Sequence, residues 1–297
     1  MNNEKLKAEP VSRSKPLGYS IFVSCILAVM KIVGGIAVNS LAILSSAIDS
    51  LIDTVSSTIN YMALKKAGEP PDFNHKYGHF KFESLAAYTQ SIFLIIIAIY
   101  IFYAAINKLI QKETIHAVNA GIIIMFISMI ITFFLVRYLN KKAIKYNSAL
   151  IKTDAIHYKT DIFTNLGILV SLIMIKLTKL HFFDPIISIL ISFYIIYVVT
   201  KILLNVSSEL LDAEVPGDIK NMIINTLRSH TNDKIDYHDL RTRMAGNRIF
   251  IDMHLILSDN STLIEAHNIS NQIESSLKNI FDNIDITIHM EPSKSQR

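Results

Sequence analysis

The chain has 297 residues, 51% of them hydrophobic and only 18% charged, with a formal net charge of +4. A soluble domain of this length is normally about a quarter charged, so composition argues against an ordinary globular enzyme. The single cysteine, Cys25, excludes an intramolecular disulfide framework and a cysteine-based zinc cluster, and reads as buried apolar filler.

The charge is unevenly spread. Residues 1–206 carry 20 Lys and Arg against 11 Asp and Glu, while residues 207–297 carry 9 against 14. The basic excess belongs to the apolar part of the chain, where it speaks of membrane topology. It gives no support to nucleic acid as a partner, which would call for a basic patch on the soluble part.

Residues 1–16 form a polar arm holding Lys5, Lys7, Arg13 and Lys15. Six apolar windows follow, at approximately 17–38, 40–64, 84–107, 115–139, 148–177 and 183–205. Each is long enough to cross about 30 Å of hydrocarbon at about 1.5 Å per residue, so the lipid bilayer is the first partner implied. The first window is too long for a signal-peptide core and runs directly into another span, so it reads as a retained helix. Lys31 lies about two-thirds along it, where it can snorkel to the interface, the favoured reading, face a watery cavity, or pair with a carboxylate of the second window. The loop after the second window holds Lys65, Lys66, Lys76 and Lys81, and the loop after the fourth holds Arg137, Lys141, Lys142, Lys145 and Lys152. The opposite side has Lys108, Lys112, Lys176 and Lys179. The positive-inside rule then predicts that both termini are cytoplasmic.

Residues 207–297 return to ordinary soluble composition. A helix is predicted over 218–230, with Ile219, Met222, Ile223 and Leu227 on its apolar face. A strand follows around 236–244. Another covers 247–258, with Ile249, Ile251, Met253, Leu255 and Leu257 on one face. A second helix over 262–281 and a strand over 285–291 complete an αββαβ order. The expected fold is a membrane α-helical bundle of six transmembrane helices over 17–206. A small cytoplasmic α+β domain over 207–297, an open sheet with helices on one face, follows it.

The chemistry lies where it is most costly. "SSAIDSLIDT" places Asp49 and Asp53 inside an apolar window, and "DAIHYKTDIFTN" places His157 and Asp161 inside another. An ionisable residue at bilayer depth costs about 2.5–3.5 kcal/mol on insertion scales and usually marks an ion or proton path. Both pairs have i, i+4 spacing, so each shares one helix face. Two such helices bring three carboxylates and one imidazole together, a donor set suited to a divalent ion of zinc type. Adjacent buried carboxylates cannot all stay ionised without a cation, so protons and metal compete for the same groups. Asp154 lies near the cytoplasmic end of its window, where a charge is cheap, and Lys159 reads as a spectator on another face or as a lipid-surface anchor. No HExxH or similar hydrolase motif is present, which argues against a metalloenzyme.

"NSLAILSSAIDSLIDT" with "HYKTD", six spans and a cytoplasmic α/β tail resemble the cation diffusion facilitator family, over about residues 14–292. Within it the pattern is similar to the bacterial zinc/iron effluxers; Asn39 stands where Gly is common. The resemblance implies that Asp49, Asp53, His157 and Asp161 form the transport site. It implies Zn²⁺ as cargo, with Fe²⁺ and Cd²⁺ as further candidates, H⁺ as counter-ion, a homodimer, and a metallochaperone-like tail in the inner or plasma membrane protein. In the loop, Asp72, His75 and His79 match a second zinc site, although Gly78 argues for a turn there. In the tail, His238, His254, His267, His289 and Glu291 show no spacing that declares a site and read by themselves as surface residues. The resemblance implies a binuclear zinc site from these five at the dimer interface, with Glu291 in place of the Asp of close relatives. Lys81 and Asp212 read by themselves as solvated charges at a membrane edge, and they resemble a charge pair that ties the membrane halves of the dimer to the base of the tail. His116, His181 and His230 match nothing and are expected at the surface. The alternative reading is a non-transporting membrane zinc sensor that signals through its tail.

Overall fold

The computed structural model describes residues 10–37, 41–111, 119–178, 183–231, 235–281 and 283–293. Expectations for Lys5, Lys7, Asn39, Lys112, His116, Lys179 and His181 lie outside the described residues. The chain divides into two compact units, Glu9–Val206 and a second that holds Ser207–Arg297.

The first unit is built from long helices: α1 (Pro10–Ala37), α2 (Leu41–Ala67), α3 (Lys81–Gln111), α4 (Asn119–Tyr146), α5 (Ala149–Thr178) and α6 (Phe183–Leu210). α1 begins seven residues before the apolar window predicted at 17, and it runs through Pro16. Among the described residues, three segments are long and apolar enough to cross a membrane by length and composition, Ser14–Gly34, Lys81–Asn107 and Ser188–Leu210. α2, α4 and α5, with 27, 28 and 30 residues, have the length to cross as well. α2 and α5 carry carboxylates in their middle turns, which lowers their apolarity.

The distribution of side chains is inverted relative to a water-soluble protein. Phe22, Val29, Val33, Ile59, Ile96, Tyr100, Phe134 and Leu190 are exposed. Ser24, Lys31, Ser50, Ser57, Asn60, Gln90, Asp154 and His157 are buried. That arrangement suits a bundle in hydrocarbon, where polar groups must find partners inside the protein. α1 packs on α2 and α4, and α5 packs on α2, α3 and α4. α3 and α6 share an apolar contact of Leu94, Ala98, Ile195 and Val199. Thr54 of α2 donates to Ser24 of α1 at 3.0 Å, one of several hydroxyl ties between helices. Cys25 is exposed on α1, not buried as its residue type suggested.

The second unit adds α7 (Gly217–Arg228), β1 (Ile235–Ala245), β2 (Arg248–Leu257), α8 (Leu263–Ile280) and β3 (Ile284–Pro292). The αββαβ order is as expected, with ends within two residues of those read from periodicity. β1 and β2 pair antiparallel through a two-residue turn in which Gly246 has φ +58°. β2 and β3 pair parallel, with α8 as the crossover. Thr262 caps α8: its hydroxyl accepts from the Glu265 N–H, and the Glu265 carboxylate accepts from the Thr262 N–H.

The apolar stripe of β2 (Ile249, Ile251, Met253, Leu255 and Leu257) is buried against Ile223 and Leu227 of α7 and Ala266, Ile273 and Leu277 of α8. Met222, expected on the apolar face of α7, is instead exposed. His230 is not a plain surface residue: its Nδ1 lies 2.9 Å from the Thr226 carbonyl oxygen, and its Nε2 lies 3.2 Å from Ser276 Oγ of α8. Leu277 has no exposed surface. Leu277→Ala is expected to destabilise this unit by about 2–5 kcal/mol, read as faster amide exchange in α7, α8 and β2 of the full-length protein. Unchanged exchange would show that the core lies elsewhere.

Candidate metal centre

α2 and α5 meet through their polar faces. Asp53 Oδ1 lies 2.8 Å from His157 Nε2. One ligand atom each from Asp53, His157 and Asp161 lies within 4.8 Å of the others, so one ion can reach all three. His157 is buried and its Nδ1 has no hydrogen-bond partner. The structure thus brings together three of the four residues expected here. Asp49, one turn before Asp53 on α2, is exposed and stands outside that group.

The contacts step along the two helices in opposite directions. Asp53 faces His157, while Ser57 and Asn60 face Asp154. Asp154 is fully buried, contrary to the expectation that it sits cheaply near a helix end. Its Oδ1 accepts from Asn60 Nδ2 at 3.0 Å, Ser57 Oγ at 3.3 Å and Gln90 Nε2 at 3.5 Å, joining α2, α3 and α5. Ser57 Oγ also lies 2.9 Å from the Tyr158 hydroxyl. Lys31 does not snorkel: it is buried, and its ammonium donates to Ser50 Oγ of α2 at 2.8 Å. Lys159 donates to the Tyr194 hydroxyl at 2.8 Å and lies over the Phe163 and Tyr194 rings.

A second cluster lies in the loop between α2 and α3, where Asp72, His75 and His79 each offer a ligand atom within 4.8 Å. Asp72 Oδ1 accepts the backbone N–H groups of Asn74 and His75 at 2.9 and 2.6 Å, which tightens the turn. The His75 N–H, first, together with the Asn74 N–H, holds the Asp72 carboxyl below the usual carboxylate range. The group therefore stays ionised, as a ligand must, until the pH falls below that range. Gly78 supplies the turn with φ +86° and brings His79 back within 3.2 Å of Asp72 Oδ2. His79 is buried with no hydrogen-bond partner on either ring nitrogen. A buried imidazole whose Nε2 faces the Asp72 carboxylate without a hydrogen bond fits a metal ion at this place.

The third cluster is made by sheet register. His238, His254 and His289 occupy directly paired positions on β1, β2 and β3, with ring centroids 5.0 and 4.9 Å apart. Glu291, two residues beyond His289, lies 3.1 Å from His238 Nε2, 2.8 Å from His254 Nδ1 and 3.6 Å from His289 Nε2. The hydrogen bond from His238, foremost, holds its carboxyl below the usual range. The register of β1 shifts after His238, and Asp239 takes φ +50° there. This places Asp239 in a group with His238 and His254. His267 is exposed on α8, with its Nε2 3.1 Å from Asn271 Nδ2, and does not join the cluster within one chain. Asp212 has φ +58° and accepts from Arg243 at 3.2 Å, while Lys81 opens α3 in the other unit.

The model of the cation efflux transmembrane domain matches residues 17–211, and that of the cation efflux protein cytoplasmic domain matches residues 215–293. The chain belongs to the cation diffusion facilitator family. It is similar to Protein p34 of Rickettsia prowazekii (strain Madrid E), 33% identical over 274 residues, covering 92% of this chain and 90% of that one. It is also similar to the cation-efflux pump FieF of Cronobacter sakazakii, 32% identical over 270 residues, with 91% and 89% covered. A solved structure, the metal-bound C-terminal domain of the CzcD transporter from Thermotoga maritima, is 26% identical. It covers 27% of this chain and 93% of that chain, with a TM-score of 0.25.

As a member of this family the protein is a cation efflux transporter, with a helical transmembrane domain and a small domain built on a three-stranded sheet. Sequence reasoning missed Asp239 and the burial of Asp154. A bulge has no period to betray it, so Asp239 carried no signal. Asp154 did: it stands one turn before His157, on the face that bears the candidate metal ligands.

Two outcomes follow. Asp154→Ala leaves three donors without their shared acceptor and is expected to lower the melting temperature in detergent and to slow metal flux several-fold. Asp154→Asn, which keeps an acceptor oxygen, should recover part of both, and wild-type behaviour of Asp154→Ala would show that α5 is positioned by other contacts. At Gly78 an added Cβ would lie 2.8 Å from the Phe80 ring in a backbone conformation that strains L residues. Gly78→Ala is expected to reduce zinc retained by the loop on equilibrium dialysis at least about tenfold, and unaltered retention would detach His79 from metal binding.

Proposed function

We propose that the protein exports Zn²⁺ from the cytoplasm in exchange for protons, with Fe²⁺ and Cd²⁺ as further cargo. The observation that carries this reading is the convergence of Asp53, His157 and Asp161 inside the helix bundle. Two carboxylates and an imidazole replace the water of a zinc-type ion. Asp49, one turn away, completes a quartet when the helices close around the ion. The same groups take protons when the metal leaves, because adjacent carboxylates in a low-dielectric interior cannot all remain charged. Competition at one site is sufficient for exchange, provided the site opens to one side at a time.

The protein acts as a homodimer in the cytoplasmic membrane, with both termini on the cytoplasmic side. The lysine-rich loops and the likeness to cation-efflux pumps support this placement. The loop and tail clusters bind cytoplasmic Zn²⁺ and regulate transport by favouring one arrangement of the dimer. His267, exposed on α8, reaches the tail site from the other subunit. Lys81 and Asp212 are proposed as the charge pair between the halves of the dimer.

The test is zinc flux into sealed proteoliposomes, with dyes for zinc and for internal pH. Wild-type protein is expected to couple zinc entry to opposite proton movement. Asp161→Ala should reduce flux by at least about a hundredfold while the dimer persists on size-exclusion chromatography. Wild-type flux in Asp161→Ala would reject the site. Tight zinc binding without flux in the wild type would favour a sensor.

A further inference from the structure

Lys31 carries a positive charge into the interior of the bundle, and the mechanism above does not use it. Its side chain is long enough to snorkel, yet it is buried and its ammonium is held by Ser50 Oγ of α2 at 2.8 Å. Ser50 lies between Asp49 and Asp53 in the chain. Ser50 is three residues before Asp53 and shares its face of α2, and the carboxylates on that helix or across its contact with α5 are Asp53, Asp49 and Asp161. These are the three carboxylates of the proposed quartet. α1 therefore delivers a cation to the place where α2 and α5 present anions.

Such a placement is costly unless it serves the site. A cluster of carboxylates with no ion inside a bundle needs compensating charge, and a tethered ammonium supplies it without leaving. A fixed positive charge close to a divalent ion also repels it, by an amount that grows as water is excluded. We propose that Lys31 is a resident counter-cation of the ion site: it neutralises part of the quartet once the metal has gone, and it weakens metal binding enough for release. The Ser50 hydroxyl positions it, holding the ammonium on the face of α2 that bears Asp53. Lys31 is thus an affinity-setting residue and not a ligand.

This inference rests on the transport reading, and the experiment separates the two. The concentration dependence of zinc flux is measured for the full-length wild type, Asp161→Ala, Lys31→Gln, Lys31→Met and Lys31→Arg in proteoliposomes. Loss of the charge is expected to lower KM for zinc at least about tenfold and to lower the maximal rate, because tighter binding slows release. Lys31→Arg keeps the charge and should restore both values. A residue that only braced α1 against α2 would change rate or assembly without tightening KM.

Lys31→Gln or Lys31→Met with a wild-type or raised KM would overturn the proposal. So would failure of both variants to assemble while Lys31→Arg assembles, since the lysine would then be a structural brace. If the wild type carries zinc, Asp161→Ala does not, and Lys31→Gln matches the wild type, the transport reading stands and only the role of Lys31 falls. If the wild type carries no zinc, both fall.

Discussion

Charge placed inside hydrocarbon must be met by another group of the protein or by an ion, and the membrane unit is organised around that requirement. Asp53 meets His157, Asp154 meets Ser57, Asn60 and Gln90, and Lys31 meets Ser50. Each of these contacts joins different helices. The polar groups that make the bundle costly to insert are therefore the ones that tie its helices together. Exposed Phe, Ile, Val and Leu side chains complete the inversion, giving the outer surface to lipid.

The three clusters use three different devices to bring donors together. In the bundle the device is helical spacing: His157 and Asp161 are one turn apart and meet Asp53 across the α2–α5 contact. In the loop it is a tight turn, closed by the Asp72 carboxylate and by a glycine in a conformation that other residues resist. In the tail it is strand register, which sets three histidines side by side and lets Glu291 touch each of them. Exposure differs in step with the device. His157 is nearly sealed, whereas the tail histidines are partly open to solution. That contrast supports the proposal of cargo held in the bundle and metal sensed at the tail.

Much of this was legible in the sequence. A carboxylate in an apolar window is conspicuous, and a period of four residues is visible without coordinates, so Asp53, His157 and Asp161 announced themselves. The tail was equally readable, because alternation in β2 and the capping of α8 are local signals. Position along a window favours snorkelling for Lys31 and a cheap helix-end site for Asp154. Depth in a window does not say which face a side chain takes, and both proved to be buried between helices.

What the sequence by itself determined is the inventory and its local spacing: long apolar helices, paired ligands at i, i+4, and an αββαβ tail. These follow from chain chemistry within a few residues, where backbone period and solvent preference decide the outcome. Tertiary structure alone decided which groups meet. Asp53 is 104 residues from His157 and shares a 2.8 Å contact with it. His238, His254 and His289 lie on three strands and become neighbours only through register, and Asp239 joins His238 and His254 only because β1 bulges. Contacts between distant segments depend on how helices pack and where strands align, and that information is spread over the whole core.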